Sequence, residues 1–176
     1  PDENGTVLYT RKNAEEGAKV RGFNSELKVS LSKVMSLTSG FTIQSSRYDV
    51  PQEFNEKRFF RTPDKYGFLT VDWDFRRNFC LTATGNYTGK MLVPYFGTAN
   101  PDGELRMSGE FLDLGSKLSY TLNLKGATIE LSGGVKNLLN AYQKDFDTGK
   151  DRDPSYMYGP VSPRSIFLGI KIGNLL

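Results

Sequence analysis

A cluster of acidic side chains near the C-terminus is the part of this sequence that comes closest to a chemical site. Four aspartates lie around Gly149: Asp145, Asp147, Asp151 and Asp153. Hard cations such as Ca²⁺ prefer several carboxylate oxygens on a flexible turn, so a weak calcium site is one interpretation. The spacing does not match an EF-hand loop, in which glycine occupies the sixth position, and a solvated loop explains the cluster better. We therefore expect no metal, with calcium as the minority alternative.

Catalytic chemistry has few candidates. Histidine is absent and Cys80 is the only cysteine, which removes His-based triads, Cys–His dyads, disulfides and thiolate zinc sites. Asp72 and Asp74 form a carboxylate pair, but they project from one strand pattern with no predicted cleft or partner base. The net charge of +3 comes from well-mixed acidic and basic residues, so no basic stripe indicates nucleic-acid binding. We expect no enzyme, no cofactor and no nucleic-acid partner.

Aromatic and basic side chains are frequent in three long polar segments. Loops over a rigid scaffold often carry ligand recognition, so seven aromatics are candidate ligand-binding residues: Tyr142, Phe146, Tyr156, Tyr158, Phe59, Phe60 and Tyr95. The alternative is that they pack the loops on themselves or form an interfacial aromatic girdle. Four arginines near the loop ends are candidates for anionic ligands or lipopolysaccharide phosphates, although pairing with neighbouring acids is the simpler explanation: Arg58, Arg61, Arg152 and Arg164.

Alternation of apolar and polar residues predicts the elements that carry these loops. From Phe23 to Ser32, apolar positions such as Leu27 and Leu31 alternate with polar positions such as Glu26 and Lys28. Successive residues of a strand point to opposite faces, so the two faces meet different surroundings. The same pattern recurs along the chain and predicts about eight strands, several of them longer than is usual in soluble sheets.

The predicted connections alternate in length. Short turns fall at 32–36, 76–78 and 125–126, and long polar connections fall at about 47–64, 91–110 and 138–163. This predicts an all-β, antiparallel up-and-down meander with two different ends. Short turns on one side and long loops on the other are typical of a transmembrane β-barrel. A soluble barrel or sandwich, in which the apolar face is the core, stays open as an alternative.

Five segments, in the same order, resemble the closing strands of TonB-dependent outer-membrane receptors: AKVRGFNSELKVSLSK, RTPDKYGFLTVDW, YTGKMLVPYF, FLDLGSKLSYTLNL and the stretch from GGVKNLLNAYQ to LGIKI. The most specific parts are VKNLLNAYQ and the YGPVSPR sequence that precedes the last strand. The resemblance implies that residues 1–176 are the C-terminal segment of such a receptor's transmembrane barrel, with the plug domain absent from this chain.

The resemblance also implies a function and a location. Such a receptor lies in the outer membrane of a Gram-negative bacterium and takes up a scarce nutrient, such as a ferric siderophore, cobalamin or a glycan. Its implied partners are outer-membrane lipid, the small nutrient ligand and the TonB complex, which acts through the N-terminal plug. Two alternatives stay open: a self-contained eight-stranded outer-membrane barrel with a structural or adhesive role, and a soluble ligand-binding β-barrel.

Overall fold

The computed structural model describes residues 16–97, 102–150, 152–160 and 162–173, and strands dominate these residues. One 3-10 turn spans Glu53–Asn55. No helix within the described ranges is long and apolar enough to cross a membrane. The strands are β1 Ala18–Ser32, β2 Met35–Tyr48, β3 Lys65–Arg76, β4 Phe79–Thr88, β5 Leu92–Tyr95, β6 Glu104–Met107, β7 Phe111–Leu124, β8 Ala127–Lys136 and β9 Ser165–Gly173.

Seven of these strands form one antiparallel sheet in the order β1-β2-β3-β4-β7-β8-β9. Each strand pairs with the next in sequence, apart from the small β5-β6 hairpin, which is inserted between β4 and β7 and forms a sheet of its own. The predicted all-β, up-and-down meander is therefore confirmed. The prediction of about eight strands did not separate the hairpin from the main sheet, because its strands are short and one contains Pro94.

The strand register places the apolar positions of all seven strands on one face. Val71 of β3 is opposite Leu37 of β2 and Ala83 of β4. The same face continues through β7 and β8 to Leu168 of β9, which is opposite Gly133. We call this the apolar face; its larger members are Phe23, Leu27, Phe41, Ile43, Leu69, Trp73, Leu81, Leu112, Leu114, Leu118, Leu131, Val135, Ile166, Ile170 and Ile172.

The opposite face is polar and carries its own hydrogen bonds. Thr82 Oγ1 donates to Asp72 at 2.7 Å, and Ser119 Oγ donates to Glu130 at 2.9 Å. Lys117 lies 3.6 Å from the same Glu130 carboxylate. We call this the polar face. The register puts Lys19, Arg21, Arg47 and Lys65, near the loop end of their strands, on the apolar side. Charged residues farther along the strands, such as Asp72, Lys117 and Glu130, lie on the polar face, so the two faces are suited to different environments.

No second layer packs on the apolar face within the described part of the chain. Leu168 is 87% exposed and Ile166 is 80% exposed. The buried apolar side chains lie instead in the long connections, where Val93 is fully buried and Tyr156 is 2% exposed, and at Phe111, the first residue of β7. A continuous apolar surface of this size marks contact with another protein or a membrane rather than with water.

The two ends of the sheet differ in the way that the sequence predicts. Two-residue turns join β1 to β2, β3 to β4 and β7 to β8, whereas residues 49–64, 89–110 and 137–164 make long connections at the other end. Asn78 and Gly126 occupy the second position of their turns with φ of 67° and 80°. Asparagine and glycine tolerate this left-handed conformation, so the tight turns form without strain. We call the two edges the turn end and the loop end.

Candidate functional site

The described parts of the three long connections fold together into one structure at the loop end. We call this the loop cluster (residues 49–64, 89–97, 102–110, 137–150, 152–160 and 162–164). Arg61 links all three connections. Its backbone N–H donates to the Leu92 carbonyl at 2.7 Å. Its guanidinium donates to the carbonyls of Met157 at 2.8 Å and Ser155 at 2.6 Å. One arginine therefore holds segments that are far apart in sequence.

A small buried core lies inside the loop cluster. Gln143 is 1% exposed; its amide nitrogen donates to the Tyr156 carbonyl at 3.0 Å and its amide oxygen accepts from the Tyr158 N–H at 2.9 Å. The Arg106 guanidinium lies 3.6 Å from the centroid of the Tyr95 ring. Such cation–π contacts gain strength as water is excluded. The core therefore combines packed rings with satisfied polar groups.

Asp145 is the acceptor for two tyrosines of this core. The hydroxyls of Tyr156 and Tyr158 donate to its two carboxylate oxygens at 3.0 Å and 2.6 Å. Burial acts to raise the pKa of Asp145, but the hydrogen bonds from Tyr158 and Tyr156 outweigh it and the pKa is lowered. Burial and the bond to Asp145 in turn raise the pKa of Tyr158. The carboxylate therefore stays charged and holds the two rings in place.

Asp147 and Asp153, the other two described aspartates of the acidic group around Gly149, also accept hydrogen bonds from protein donors. Asp147 accepts from the Tyr95 hydroxyl at 3.2 Å and from the Asp153 N–H at 2.8 Å. Asp153 accepts from the Phe96 N–H at 2.9 Å and from both the N–H and the hydroxyl of Ser155. Burial acts to raise the pKa of Asp153, and the bonds from Ser155 and Phe96 lower it overall.

These contacts bear on the calcium interpretation. Asp145, Asp147 and Asp153 point to tyrosine hydroxyls and backbone N–H groups rather than to one shared point. Asp151 lies outside the described residues. Across the described ranges, no group of three or more acidic or cysteine side chains is placed to hold a metal ion. The aspartates act as structural acceptors in the loops.

The predicted ligand-binding aromatics fall into a packed group and an exposed group. Tyr156 is buried against Tyr95, with ring centroids 4.8 Å apart. Phe59 packs on Tyr48 at 4.4 Å, and Phe60 lies near Phe54 at 6.1 Å. The first pair joins two loops, Phe59 packs on the end of β2, and Phe60 packs within its own loop. The exposed group consists of Tyr142 and Phe146.

Two open cavities in the loop cluster are large enough to hold a small ligand. Tyr142 and Tyr158 line a cavity of about 450 Å³ together with Glu110. Phe146 and Met157 line a second cavity of about 460 Å³. Both volumes lie in the range of small-molecule sites. Ligand contact by the seven candidate aromatics stays a prediction, with Tyr142, Tyr158 and Phe146 the ones that the cavities favour.

The two asparagines of the NLLN sequence have a role that the sequence reasoning did not assign. The Asn137 side chain donates to the carbonyls of Ala141 and Ser162, both at 2.9 Å, and accepts from the Ala141 N–H at 2.7 Å. Asn140 accepts from the Arg164 N–H at 2.9 Å. Both asparagines have positive φ, 50° and 53°. Their hydrogen bonds join the two ends of the 137–164 connection. The sequence feature that could have indicated this role is the occurrence of two asparagines directly after a predicted strand.

The arginines proposed for anionic groups are partly used inside the protein. Arg58 forms an ion pair with Glu56 at 2.8 Å, and hydrogen bonds from Arg58 lower the pKa of Glu56 to about 2. Arg61 is committed to backbone carbonyls, and Arg152 donates to the Gly149 carbonyl at 3.3 Å. Internal pairing therefore explains three of the four.

Aromatic residues border the apolar face. At the turn end the rings of Trp73, Phe75, Phe79 and Tyr120 contact one another in sequence, with centroids 5.5, 6.0 and 4.5 Å apart. Near the loop end, the Tyr87 hydroxyl donates to Glu110 at 3.0 Å. Phe79 to Tyr87 covers about 26 Å of strand at ~3.3 Å per residue, or roughly 20 Å across a membrane at the usual tilt of transmembrane strands. An apolar band with aromatic borders defines the class: a section of transmembrane β-barrel wall.

Several solved structures are similar to this chain in fold, and three of them are described as import or siderophore receptors. The chain is similar to the ferric-catecholate import receptor Fiu of E. coli K12, at 19% identity and a TM-score of 0.63. It is similar to the ferripyoverdine receptor of Pseudomonas aeruginosa, at 15% and 0.65, and to the siderophore receptor PiuA of Acinetobacter baumannii, at 17% and 0.62. Each likeness covers 87% of this chain. The predicted resemblance is confirmed at the level of the fold.

The chain spans about a fifth of the length of these receptors: 20%, 19% and 21% respectively. No protein-family model matches the chain, and no curated protein sequence does. The likeness therefore establishes the fold alone, a stretch of β-barrel wall. The ligand and the energy source for transport are addressed below as proposals.

Proposed function

We propose that this chain is a C-terminal wall segment of a TonB-dependent receptor barrel in the outer membrane of a Gram-negative bacterium. The observation that carries the proposal is the continuous apolar face, whose register is kept through all seven strands of the main sheet. A barrel wall exposes one face to lipid and the other to its lumen, which accounts for a sheet on which no second layer packs among the residues that the structure describes. In such a receptor the TonB complex acts through an N-terminal plug.

We further propose that the nutrient is a ferric siderophore. The names of the similar structures support this over cobalamin or a glycan, because they describe a ferric-catecholate importer, a ferripyoverdine receptor and a siderophore receptor. Tyr142 and Phe146 supply exposed aromatic surface in the loop cluster for an organic ligand, and the half-buried Tyr158 lines the same cavity as Tyr142. The polar face would line the route through the barrel.

The function needs no bond chemistry from this chain. The loop cluster contributes a rigid platform, because its carboxylates and arginines are held by internal hydrogen bonds. Rigid loops lose less conformational entropy when a ligand binds. The polar face contributes hydrophilic groups such as Lys117 and Glu130 along a water-filled path.

The experiment that tests the proposal has two parts. Source cells are fractionated and blotted with an antibody raised to this chain; we expect the signal in the outer membrane, in a product several times larger than 19.7 kDa. Uptake of ⁵⁵Fe-loaded siderophores is then compared between the wild type and the double variant Tyr142→Ala/Phe146→Ala. Tyr120→Ala, at the turn end, is the matched aromatic control.

We expect the loop double variant to lower uptake about tenfold at equal receptor abundance, which corresponds to ~1.4 kcal/mol of lost ligand contact, with the control near wild type. Signal in the soluble fraction alone would contradict the membrane assignment. Outer-membrane signal with uptake unchanged in the double variant would contradict ligand capture by these two residues.

A further inference from the structure

A positively charged cleft lies at the loop end of the first two strands. Its volume is about 420 Å³ and its lining residues are Lys19, Arg21, Ser45, Arg47, Tyr48, Asp49 and Lys57. Four of these side chains are cationic and one is anionic, so the cleft carries a formal charge of +3 from side chains near one another. We call it the basic cleft.

The register places the basic cleft on the same side of the sheet as the apolar face. Lys19 and Arg21 lie four and two positions before Phe23, so the three side chains share one face of β1. Across the strand pair, Lys19 is opposite Arg47, and Phe23 is opposite Ile43. The cations therefore lie directly beyond the loop-end border of the apolar band, and they face outward rather than toward the lumen.

The cations of the cleft are not all used by the protein. Lys19 pairs with Asp49 at 2.6 Å, and the Lys57 ammonium donates to the Asp49 carbonyl at 2.8 Å. The guanidinium groups of Arg21 and Arg47 have no partner among the described residues. This contrasts with Arg61 of the loop cluster, whose guanidinium is held by two carbonyls. Two unpaired guanidinium groups in one cleft form a donor set for an anion.

We propose that the basic cleft binds the phosphorylated headgroup of a lipid in the outer leaflet of the membrane. The guanidinium fork matches phosphate oxygens in pairs, which suits Arg21 and Arg47 as the principal contacts. Basic residues at the edge of an apolar surface are attracted to anionic headgroups. The acyl chains of the same lipid would lie along Phe23 and Ile43, so one molecule would satisfy both the cleft and the band beneath it. The position of the cleft at the level of the lipid headgroups in the membrane rests on the proposed function.

The test uses the native protein that contains this chain, extracted from outer membranes in a mild detergent. Native mass spectrometry and phosphate analysis count the phosphorylated lipid retained by the wild type, by the variant Lys19→Gln/Arg21→Gln/Arg47→Gln and by the control Lys33→Gln/Arg76→Gln/Arg77→Gln. The control removes the same charge at the turn end. A second arm reloads delipidated protein with the same lipid before and after enzymatic dephosphorylation, and a third arm offers inorganic phosphate alone.

We expect the cleft variant to hold lipid about fivefold more weakly for each cation removed, while the control retains wild-type amounts. Dephosphorylated lipid should bind wild-type protein as weakly as intact lipid binds the cleft variant. Equal retention by wild type and cleft variant, or equal binding of dephosphorylated lipid, would overturn the proposal. Tight binding of inorganic phosphate that blocks lipid loading would reassign the cleft to soluble anions and also overturn it. If the protein were absent from the outer membrane, the proposed function would fail instead, and fractionation reports that separately.

Discussion

At the scale of single residues, the loop cluster depends on polar side chains that are buried and fully bonded. Asn137 is 4% exposed and uses both ends of its amide, and Gln143 does the same on the other side of the 137–164 connection. Removing one partner of a buried hydrogen bond destabilises the fold by more than the net stabilisation that the bond provides. The reason is that the remaining partner stays buried without a hydrogen bond. Single substitutions at these positions are therefore expected to loosen a whole loop.

Replacing Asn137 with alanine should open the 137–164 connection. The change removes three hydrogen bonds at the base of the loop and places alanine at a positive φ, so we expect local stability to fall by about 2 kcal/mol. Tryptic cleavage at Lys144 and Lys150 should become roughly 30-fold faster. Asn123→Ala, an exposed asparagine near the turn end, is the control and should leave cleavage unchanged; equal cleavage in both variants would contradict the assigned role of Asn137.

Acid should loosen the same loops. The pKa values of Asp145 and Asp153 are lowered in the folded protein, so their stabilising effect is complete above the ordinary carboxyl pKa of about 3.9 and is lost as the pH falls through that value toward the folded pKa. Hydrogen exchange, corrected for intrinsic rates, should show protection of residues 141–158 falling between about pH 5 and pH 2. Asp145→Asn should show part of this loss already at pH 7, whereas Asp113→Asn on β7 should not. Protection that is constant down to pH 2 would argue against the carboxylate network.

At the scale of elements, the sequence predicts the strands better than the loops, for a physical reason. A strand that separates two environments must alternate, so the faces of β1, β3 and β7 can be read from residue types alone. The interior of the loop cluster depends on contacts between distant segments, such as Arg61 with Ser155, and no local pattern encodes them. The tyrosines of the last long loop could be identified as candidates, but whether each was exposed or buried could not.

A matched pair of substitutions on β4 tests the two faces directly. Ala83 lies on the apolar face midway between Phe79 and Tyr87, and its neighbour Thr84 lies on the polar face. Ala83→Arg should destabilise the protein by about 2–4 kcal/mol, since a charge would meet lipid at mid-membrane, whereas Thr84→Arg should cost little. Urea unfolding in lipid vesicles measures both. A similar, small cost for the two variants would mean that the apolar face does not contact lipid.

At the scale of the whole molecule, the main sheet has an odd number of strands and two free edges in the described part of the chain. Seven strands, each antiparallel to its neighbour, make β1 and β9 run in the same direction. Bacterial single-chain transmembrane barrels have an even number of antiparallel strands, so closing this sheet on itself would need a parallel pair. Unpaired edges of this length otherwise template association with further strands. Among the described strands, this geometry supports the proposal that the chain is a segment of a larger barrel.

Cysteine crosslinking in the native protein distinguishes these two arrangements. With Cys80 replaced by serine, the pair Val29→Cys/Leu37→Cys joins register partners of β1 and β2 and should crosslink efficiently with a short bismaleimide. The pair Val29→Cys/Leu168→Cys joins the two edges of the sheet and should not crosslink within one chain, because further strands separate β1 from β9 in a larger barrel. Each residue lies on the apolar face, but Leu168 is more exposed than Val29 and Leu37. Labelling of each single-cysteine variant with a monofunctional maleimide therefore normalises the two crosslinking yields. Efficient intrachain crosslinking of the second pair would show that the sheet closes on itself and would restore the small-barrel alternative.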